Sequence, residues 1–401
     1  MIPPRLSVRA QSLEPSATLA MAAKAKALQD AGHPVIAFTV GEPDFRTPAH
    51  ICAAAKEAID QGMHKYTPVP GIPALRQAVA ARLKESIGVE YAPTEIVVSP
   101  GAKYSIHLAF QALLSEGDEA LIPAPHWVSY PEMARLSGAK PVIIETREED
   151  GFALTARAVE AAITPRTKLL VLNSPGNPTG GITPPDEIDR IAAVLERRGV
   201  WCVSDEIYDC LIYGGAALRS PAAVSPWNRE HTIVINGVSK TYAMTGWRIG
   251  WAAGPKDILK AMDDLQSQST SNPCSISQAA AVAALTGPQD SVADMRKAFE
   301  ARRAHIMEQL AGIPGIACGM PAGAFYAFPN IQQLLGKTYD GVKVETPTDF
   351  CMAALEKVHV AMVAGEPFGS PRHVRLSYAC SMEQITEGCR RLKEFAAKGR
   401  P

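Results

Sequence analysis

The sequence predicts an α/β protein: a large domain with a mostly parallel sheet flanked by helices, and a smaller α+β domain beside it. Two observations support this fold class. Short runs that are apolar over most of their length, such as VWCVSD (200–205) and TIVING (232–237), are typical of strands buried on both faces. Amphipathic segments separate these runs, and strands that alternate with helices indicate a parallel sheet covered on two sides.

The predicted elements follow one another along the middle of the chain. The run EIVVS (95–99) precedes the helical pattern AKYSIHLAFQALLSE. The run KLLVLNSP (168–175) leads through a turn-rich loop to DEIDRIAAVLERRG (186–199), where apolar residues recur at helical spacing and a glycine ends the helix. The two runs named above then complete the alternation.

The two ends of the chain lack this alternation. The segment ADMRKAFEARRAHIMEQL (293–310) reads as one long helix, and short strands and helices follow it. We therefore expect residues 1–40 to form an N-terminal arm and part of a small domain. Residues 41–290 would form the large domain, and residues 291–401 the C-terminal small domain.

The composition excludes several classes of protein. The chain has 401 residues, 40 basic against 41 acidic side chains and a net charge of -1, which offers no general attraction to nucleic acid or to an anionic membrane. No apolar run is long enough to span a bilayer, and the N-terminus does not read as a signal peptide. The eight cysteines are scattered without metal-ligand spacing, which favours a reducing cytoplasm. We expect a cytoplasmic enzyme.

Polar residues occupy the ends of the predicted strands. They are Gly101 to Lys103, Asn173 to Asn177, Asp205 and Lys240. Because ligands of open α/β sheets gather outside the carboxyl ends of the strands, we expect these groups to converge on one crevice.

Lys240, in SKTYAMTGWRIG (239–250), is the candidate reactive centre. A lone lysine is usually solvated. In an enclosed pocket near other cations, however, its pKa falls from ~10.4, and the neutral amine can form a Schiff base with a carbonyl. The aldehyde of pyridoxal phosphate is the obvious carbonyl, since its ring serves as an electron sink.

Such a cofactor requires partners for its ring. Asp205 in VSDEIYD could hold the pyridine nitrogen protonated, although the cap of a helix starting at EIYDCL is an equally good interpretation. Tyr208 and Asn177 could donate to the phenolic oxygen; the alternatives are a core tyrosine and an ordinary Asn-Pro turn. Trp127 could stack on the ring, or be a core residue.

The phosphate requires donors as well. The stretch SPGAKYS (99–105) places Gly101 and Ala102 before a helix, where backbone N–H groups and the positive end of the dipole favour an anion. Arg248 can add a bidentate contact. For the substrate, Arg375 lies in the apolar run HVRLSYA, where a charge is costly unless paired, and suits an α-carboxylate. Gly41 in GEPDF allows close backbone approach of a ligand.

These motifs together resemble one family. VGEPDF, KYTPVPGIPALR, NSPGNPTG, SDEIY, SKTYAMTGWRIG and VRLSYA occur in the order seen in fold-type I aminotransferases of the aspartate aminotransferase superfamily. The resemblance covers essentially the whole chain. It implies a seven-stranded sheet in the large domain, and a homodimer whose active sites are shared between subunits.

The resemblance also implies roles around the cofactor. Pyridoxal phosphate would be bound covalently to Lys240, with Asp205 at the pyridine nitrogen and Asn177 and Tyr208 at the phenolic oxygen. Trp127 would cover the ring. Trp127 and Asn177 would also face the substrate.

A second set of implied roles concerns the phosphate. Arg248 and the backbone of Gly101 and Ala102 would bind it, with Lys103 in the same loop. Tyr66 would reach it from the neighbouring subunit.

The implied reaction is a ping-pong transfer between amino acids and 2-oxo acids. Arg375 would hold the substrate α-carboxylate, with the backbone of Gly41 close by. Lys240, once released, would move a proton from the substrate Cα to C4′ of the cofactor.

Two positions depart from the best-known aspartate aminotransferases. Gly237 stands where those enzymes have a phosphate-binding serine. Ser267 stands where they have the arginine for the distal carboxylate. A bacterial subgroup that this chain resembles uses a lysine at the position of Lys103 instead, so aspartate and glutamate are the expected substrates. Some members also transaminate prephenate, for which Thr18 is the residue to test.

Other functions remain open at this stage. One is a pyridoxal phosphate enzyme for aromatic or other neutral amino acids, or a carbon–sulfur lyase; Lys103 argues against a neutral substrate. Another is a cofactor-binding regulator, which would usually carry a DNA-binding module ahead of this fold. The last is an α/β binding protein in which Lys240 is solvated, which would show no visible absorption.

Overall fold

The computed structural model describes residues 6–11 and 13–400. Its strands, in chain order, are β1 (Ile36–Ala37), β2 (Ile96–Ser99), β3 (Glu119–Ala124), β4 (Lys140–Glu145), β5 (Thr167–Asn173), β6 (Trp201–Asp205), β7 (Thr232–Gly237), β8 (Gly250–Ala253), β9 (Tyr326–Ala327), β10 (Lys337–Tyr339), β11 (Val342–Val344), β12 (Val360–Ala361), β13 (Val363–Ala364) and β14 (Val374–Ser377).

The α-helices are α1 (Val8–Gln11), α2 (Ala17–Asp30), α3 (Ala49–Asp60), α4 (Pro73–Ile87), α5 (Ala102–Leu113), α6 (Ser129–Leu136), α7 (Ala156–Ala162), α8 (Pro185–Arg198), α9 (Pro226–Glu230), α10 (Lys256–Ser267), α11 (Ser275–Thr286), α12 (Asp290–Ala311), α13 (Pro347–Val358) and α14 (Met382–Ala397). In the part of the chain covered by the structure, no helix combines the length and hydropathy needed to cross a membrane.

The large sheet has seven strands in the order β2-β8-β7-β6-β5-β3-β4. Strand β8 is antiparallel to both of its neighbours, and the other neighbouring pairs are parallel. The predicted strands at 95–99, 168–175, 200–205 and 232–237 correspond to β2, β5, β6 and β7. The predicted α/β class with a mostly parallel sheet is confirmed.

Alternate side chains of the buried strands point to opposite faces of this sheet. On β5, Leu169 and Val171 pack in a cluster with α5, α6 and α10, whereas Leu170 and Leu172 pack with α7 and α8. Helices α3, α4 and α11 join the second face further along the sheet. Helices thus cover both faces of the sheet and exclude water from them, which explains why these strands are continuously apolar in sequence.

This topology brings polar residues to one edge. Asn173 ends β5 and lies opposite Asp205, the last residue of the neighbouring β6. Strand β7 ends at Gly237, three residues before Lys240, and β2 ends at Ser99, just before the start of α5. The carboxyl ends of the parallel strands thus supply a common edge on which a site is built.

The small domain draws on both ends of the chain. Strand β1 pairs with β12, and β9, β14 and β13 form a three-stranded antiparallel sheet. Phe38 shares one core cluster with Phe299 of α12, Phe350 of α13 and Phe395 of α14. This shared core supports the division at residues 40 and 290, which stays a prediction. Residues 1–5 and 12 of the proposed arm lie outside the described part.

The role of Phe38 in joining the two ends of the chain can be tested by shortening its side chain to alanine. Phe38 is fully buried, so Phe38→Ala should cost about 3–5 kcal/mol of small-domain stability because it leaves a cavity. Hydrogen exchange resolved by peptide should show the loss in α12 and α14.

Met320→Ala is the control, because Met320 is an exposed apolar residue outside this cluster and should change stability by less than about 0.5 kcal/mol. Loss of protection concentrated in the strands of the large sheet would contradict the proposed division.

Candidate active site

A cleft of about 270 Å³ opens at the polar edge of the large sheet, between the two predicted domains. It brings together most of the predicted site residues. Those that line it are Thr18, Gly41, Ala102, Lys103, Trp127, Asn177, Asp205, Tyr208, Lys240, Arg248 and Arg375.

Lys240 has its amine enclosed in this cleft. Its Nζ donates a 2.5 Å hydrogen bond to the carbonyl oxygen of Gly41. Burial lowers the pKa of Lys240 to about 8, and the neighbouring guanidinium groups of Arg248 and Arg375 act in the same direction, while Glu42 opposes them. The neutral amine is therefore far more abundant near neutral pH than in a solvated lysine, although the ammonium form still predominates at pH 7.

Asp205 lies at the floor of the cleft. Its Oδ2 accepts a 2.7 Å hydrogen bond from the hydroxyl of Tyr130, and its Oδ1 accepts from the backbone N–H of Ile207 at 3.2 Å. Burial raises the pKa of Asp205 to about 6, against the effect of these hydrogen bonds. Residues 207–210 form a turn, and residues 206–211 contain no α-helix, so the helix-cap interpretation of Asp205 is wrong.

Arg375 is a fully buried cation on β14. Its Nη1 donates to Oδ1 of Asn177 at 2.9 Å, and its Nη2 donates to the carbonyl oxygen of Thr39 at 2.6 Å. Its Nε has no protein partner. Burial lowers the pKa of this guanidinium from its usual value. No carboxylate pairs with it in the described residues, so an anionic ligand would supply its missing counter-charge.

Asn177 and Tyr208 line the same cleft. Because Oδ1 of Asn177 accepts from Arg375, its Nδ2 group is the one left to donate to a ligand. Asn173 fixes the loop that follows β5, because its Oδ1 accepts a hydrogen bond from the N–H of Asn177 and its Nδ2 donates one to the carbonyl oxygen of Asp205. The hydroxyl of Tyr208 lies 2.8 Å from that of Tyr326.

The N-terminus of α5 forms an anion cradle together with Arg248. Gly101 has a φ of +91°, and a Cβ there would lie 2.2 Å from Nη2 of Arg248. A Cβ on Gly250 would lie 2.1 Å from the backbone nitrogen of Ala102. Both glycines thus allow the helix end and the guanidinium to approach closely, and the first N–H groups of a helix lack partners within it.

Gly237 belongs to the same packing. A Cβ there would lie 2.9 Å from the carbonyl oxygen of Ile249 and 3.0 Å from Cα of Gly250. A serine could be accommodated only if the β7–β8 pair moved apart. Ser239, which lines the cleft two residues later, is a hydroxyl that the sequence prediction did not single out.

Lys103 and Trp127 lie at the mouth of the cleft. Nζ of Lys103 is 4.9 Å from the centroid of the Trp127 ring. Partial burial against the cleft wall lowers the pKa of Lys103, and electrostatic repulsion from Arg248 lowers it further. The side chain nevertheless remains accessible to solvent. Thr18, in the first turn of α2, also lines the cleft, and its hydroxyl lies 2.9 Å from that of Ser16.

Two predicted residues do not line the cleft. Gly101 lies beneath Arg248, as described above. Tyr66 is 91% exposed and lies outside the cleft of its own chain.

Tyr130, Tyr326 and Asn173 contact the predicted residues but were not singled out from sequence as site residues. Tyr130 and Tyr326 are aromatic residues in apolar surroundings, a pattern that a simple core residue shares. Asn173 was noted at its strand end, but its hydrogen bonds depend on the neighbouring strand β6, which the local sequence does not reveal.

The residues of the cleft fit pyridoxal phosphate. The unpartnered Nε of Arg375 and the α5 cradle suit anionic groups at separate places in the cleft, and a buried carboxylate and a pKa-lowered lysine lie in the same cleft. Asp205 would hold the pyridine nitrogen, Tyr208 and Asn177 the phenolic oxygen, and Lys240 the aldehyde carbon.

Comparison with known proteins gives the family. The sequence profile of aminotransferase class I and II matches residues 33–392. The aspartate aminotransferase of Geobacillus stearothermophilus is 49% identical over 98% of this chain and 98% of its own length. The aspartate/prephenate aminotransferase of Cereibacter sphaeroides is 46% identical over 96% of this chain and 97% of its own.

Solved structures agree with this result. The aspartate aminotransferase of Rhizobium meliloti superimposes with a TM-score of 0.95 at 41% identity, covering 99% of this chain and 100% of that one. The Thermus thermophilus enzyme with maleate gives a TM-score of 0.92 at 41% identity, covering 98% and 100%. The chain therefore belongs to the class I and II aminotransferases, and within them to the pyridoxal phosphate-dependent aspartate aminotransferase family.

Proposed function

We propose that this enzyme transfers the amino group between L-aspartate or L-glutamate and 2-oxoglutarate or oxaloacetate in a ping-pong reaction. One observation carries the proposal: two cations, Arg375 and Lys103, line the same cleft as Lys240. A dicarboxylate has two anionic groups to place, and this cleft offers a cation for each. The names of the relatives, aspartate aminotransferases at 46–49% identity, support it.

Arg375 binds the α-carboxylate in this proposal. Its guanidinium is fixed by Asn177 and by the carbonyl of Thr39, and its Nε remains without a protein partner. A rigid, desolvated guanidinium recognises a carboxylate more strongly than a mobile surface one, because little orientational freedom is lost on binding.

Lys103 binds the distal carboxylate. The alternative position, Ser267, is occupied by a neutral side chain whose hydroxyl donates to the carbonyl of Asp264 and which does not line the cleft. The cation for the distal carboxylate thus comes from Lys103 at the start of α5, and not from an arginine at position 267 at the end of α10.

Three side chains of the cleft have separate roles in the proposed reaction. Bound pyridoxal phosphate supplies an electron sink for the substrate Cα. Asp205 keeps the pyridine nitrogen protonated. Lys240 accepts the proton from the substrate Cα and delivers it to C4′ of the cofactor, a task suited to an amine whose pKa is lowered to about 8. Trp127 covers the ring and limits access of water.

Prephenate is a second candidate substrate. The Cereibacter sphaeroides relative is named for both aspartate and prephenate, and Thr18 lies in the cleft together with Lys103. We propose Thr18 as the residue whose substitution would change the preference between the two.

The proposed assembly is a homodimer in the cytoplasm. Tyr66 is almost fully exposed and lies outside its own cleft. An exposed tyrosine in this position is available to reach the phosphate site of a second copy. The scattered cysteines, all free in the structure, suit a reducing compartment.

A single-turnover experiment tests the reaction itself. Purified holoenzyme mixed with L-aspartate, without an acceptor, should release one equivalent of oxaloacetate per active site. Release of pyruvate and ammonia from L-cysteine or cystathionine would instead identify a carbon–sulfur lyase. Absence of product from L-aspartate, with the cofactor bound, would overturn the dicarboxylate substrate but not the cofactor.

The role of Lys103 predicts a selective loss in a variant. Lys103→Ala should lower kcat/KM for L-aspartate about 10- to 100-fold, because a charge-assisted hydrogen bond contributes about 1.5–3 kcal/mol. Steady-state kinetics with L-alanine, which lacks a distal carboxylate, should be unchanged.

Lys103→Arg is the matched control and should keep most of the activity toward L-aspartate. An equal loss for L-aspartate and L-alanine in Lys103→Ala would assign Lys103 to the cofactor instead of to the substrate.

The lowered pKa of Lys240 predicts a distinct reactivity. In the cofactor-free protein, acylation of Lys240 by a neutral reagent should rise with pH and level off above about 8, because only the neutral amine reacts and the folded pKa lies below the ordinary value. Mass spectrometry of the peptide measures it, with exposed lysines in the same sample as the internal standard. A midpoint near ~10.4 would mean that the amine is solvated.

A further inference from the structure

Tyr326 lies between Tyr208, the proposed cofactor contact, and Arg375, the proposed substrate contact. It is the first residue of β9 and pairs with Ser377 of β14. Arg375 precedes Ser377 by two residues, so its side chain leaves β14 on the same face. Tyr326 and Arg375 are thus diagonal cross-strand neighbours, within reach of an aromatic side chain.

Three contacts fix the Tyr326 side chain, which is fully buried. The guanidinium carbon of Arg375 lies 4.7 Å from the centroid of its ring. Its hydroxyl lies 2.8 Å from the hydroxyl of Tyr208. A Cβ on Gly41 would lie 2.4 Å from the Tyr326 hydroxyl oxygen, so the backbone of Gly41 closes the remaining side.

The pair of hydroxyl groups has two possible hydrogen-bond directions. Each tyrosine has one proton to donate. If Tyr208 donated to Tyr326, its only proton would be used within the pair. If Tyr326 donates to Tyr208, the proton of Tyr208 is free for a ligand in the cleft. A hydrogen bond received by Tyr208 also makes its hydroxyl a better donor.

We infer that Tyr326 is a positioning residue with two functions. It donates its hydroxyl proton to Tyr208, so that Tyr208 presents its own proton to the phenolic oxygen of the cofactor. Its ring supports the guanidinium of Arg375 in the orientation that receives the substrate carboxylate. The inference rests on the proposed function, in which Tyr208 contacts the cofactor and Arg375 the substrate.

The hydroxyl function is tested by the spectrum of the holoenzyme. The visible absorption of bound pyridoxal phosphate changes with pH, and its midpoint responds to hydrogen bonds at the phenolic oxygen. Tyr208→Phe should shift this midpoint, and Tyr326→Phe should shift it in the same direction by a smaller amount. The double variant should match Tyr208→Phe alone, because Tyr326 acts through Tyr208.

Tyr213→Phe is the matched control. Tyr213 is also a buried tyrosine, and its hydroxyl donates to the carbonyl of Ala324, outside the cleft. Its loss should leave the midpoint unchanged, which separates orientation of Tyr208 from a general effect of removing a buried hydroxyl.

The ring function is tested by binding of succinate, a dicarboxylate without an amino group. Tyr326→Phe keeps the ring, so the dissociation constant of succinate should stay near that of the parent. Tyr326→Leu removes the ring beside a desolvated guanidinium, and the dissociation constant should rise about 5- to 30-fold, as expected for a cation–π interaction of about 1–2 kcal/mol.

The outcomes separate the inference from the function on which it rests. If Tyr208→Phe itself leaves the midpoint unchanged, the proposed contact of Tyr208 with the cofactor fails. If Tyr208→Phe shifts it but Tyr326→Phe does not, or if the two shifts add, the inferred role of the Tyr326 hydroxyl is overturned. Equal succinate binding by Tyr326→Leu and Tyr326→Phe overturns the role of the ring.

Discussion

The cleft encloses more positive than negative charge, and much of its chemistry depends on that excess. Lys240, Arg248, Arg375 and Lys103 line it, whereas Asp205 is the one carboxylate among the lining residues given by the structure. Repulsion among the cations adds to burial in lowering the pKa of Lys240. The same excess makes the cleft a receptor for anions, so the phosphate and the carboxylates of the ligands would complete the electrostatic balance.

Backbone packing determines where this charge is held. Gly101 allows the end of α5 to approach Arg248, Gly250 allows it to approach β8, and Gly41 allows the chain to pass against Tyr326. At each of these positions a Cβ would collide with an atom of the cleft. The glycines are therefore part of the geometry of the site, although they contribute no functional group.

Most of the fold was predictable because its signals are local. The strand ends at Asn173 and Asp205 follow from apolar runs, and the helix at 186–199 from its spacing. The motif residues around Lys240 were predictable as a set for the same reason. Tyr326 and Tyr130 were not, because their roles depend on partners far away in sequence: Tyr326 is 118 residues from Tyr208, and Tyr130 is 75 residues from Asp205. The helix considered as an alternative after Asp205 was wrong, since residues 207–210 form a turn, two of whose residues, Ile207 and Tyr208, line the cleft.

The pairing of β1 with β12 has a consequence for the order of events during synthesis. Ile36 pairs with Val360, and Phe38 belongs to the same core cluster as Phe395, so the N-terminal segment must wait for nearly the whole chain before its native partners exist. The strands of the large sheet lie between residues 96 and 253 and can assemble while translation continues. Arg375 and Thr39, whose carbonyl oxygen accepts a hydrogen bond from it, come from the two late-meeting parts. The nascent large domain therefore holds Lys240 and Asp205 without the wall proposed to receive the substrate. If Arg375 binds the substrate as proposed, competence to bind an amino acid is acquired last, when the chain ends meet.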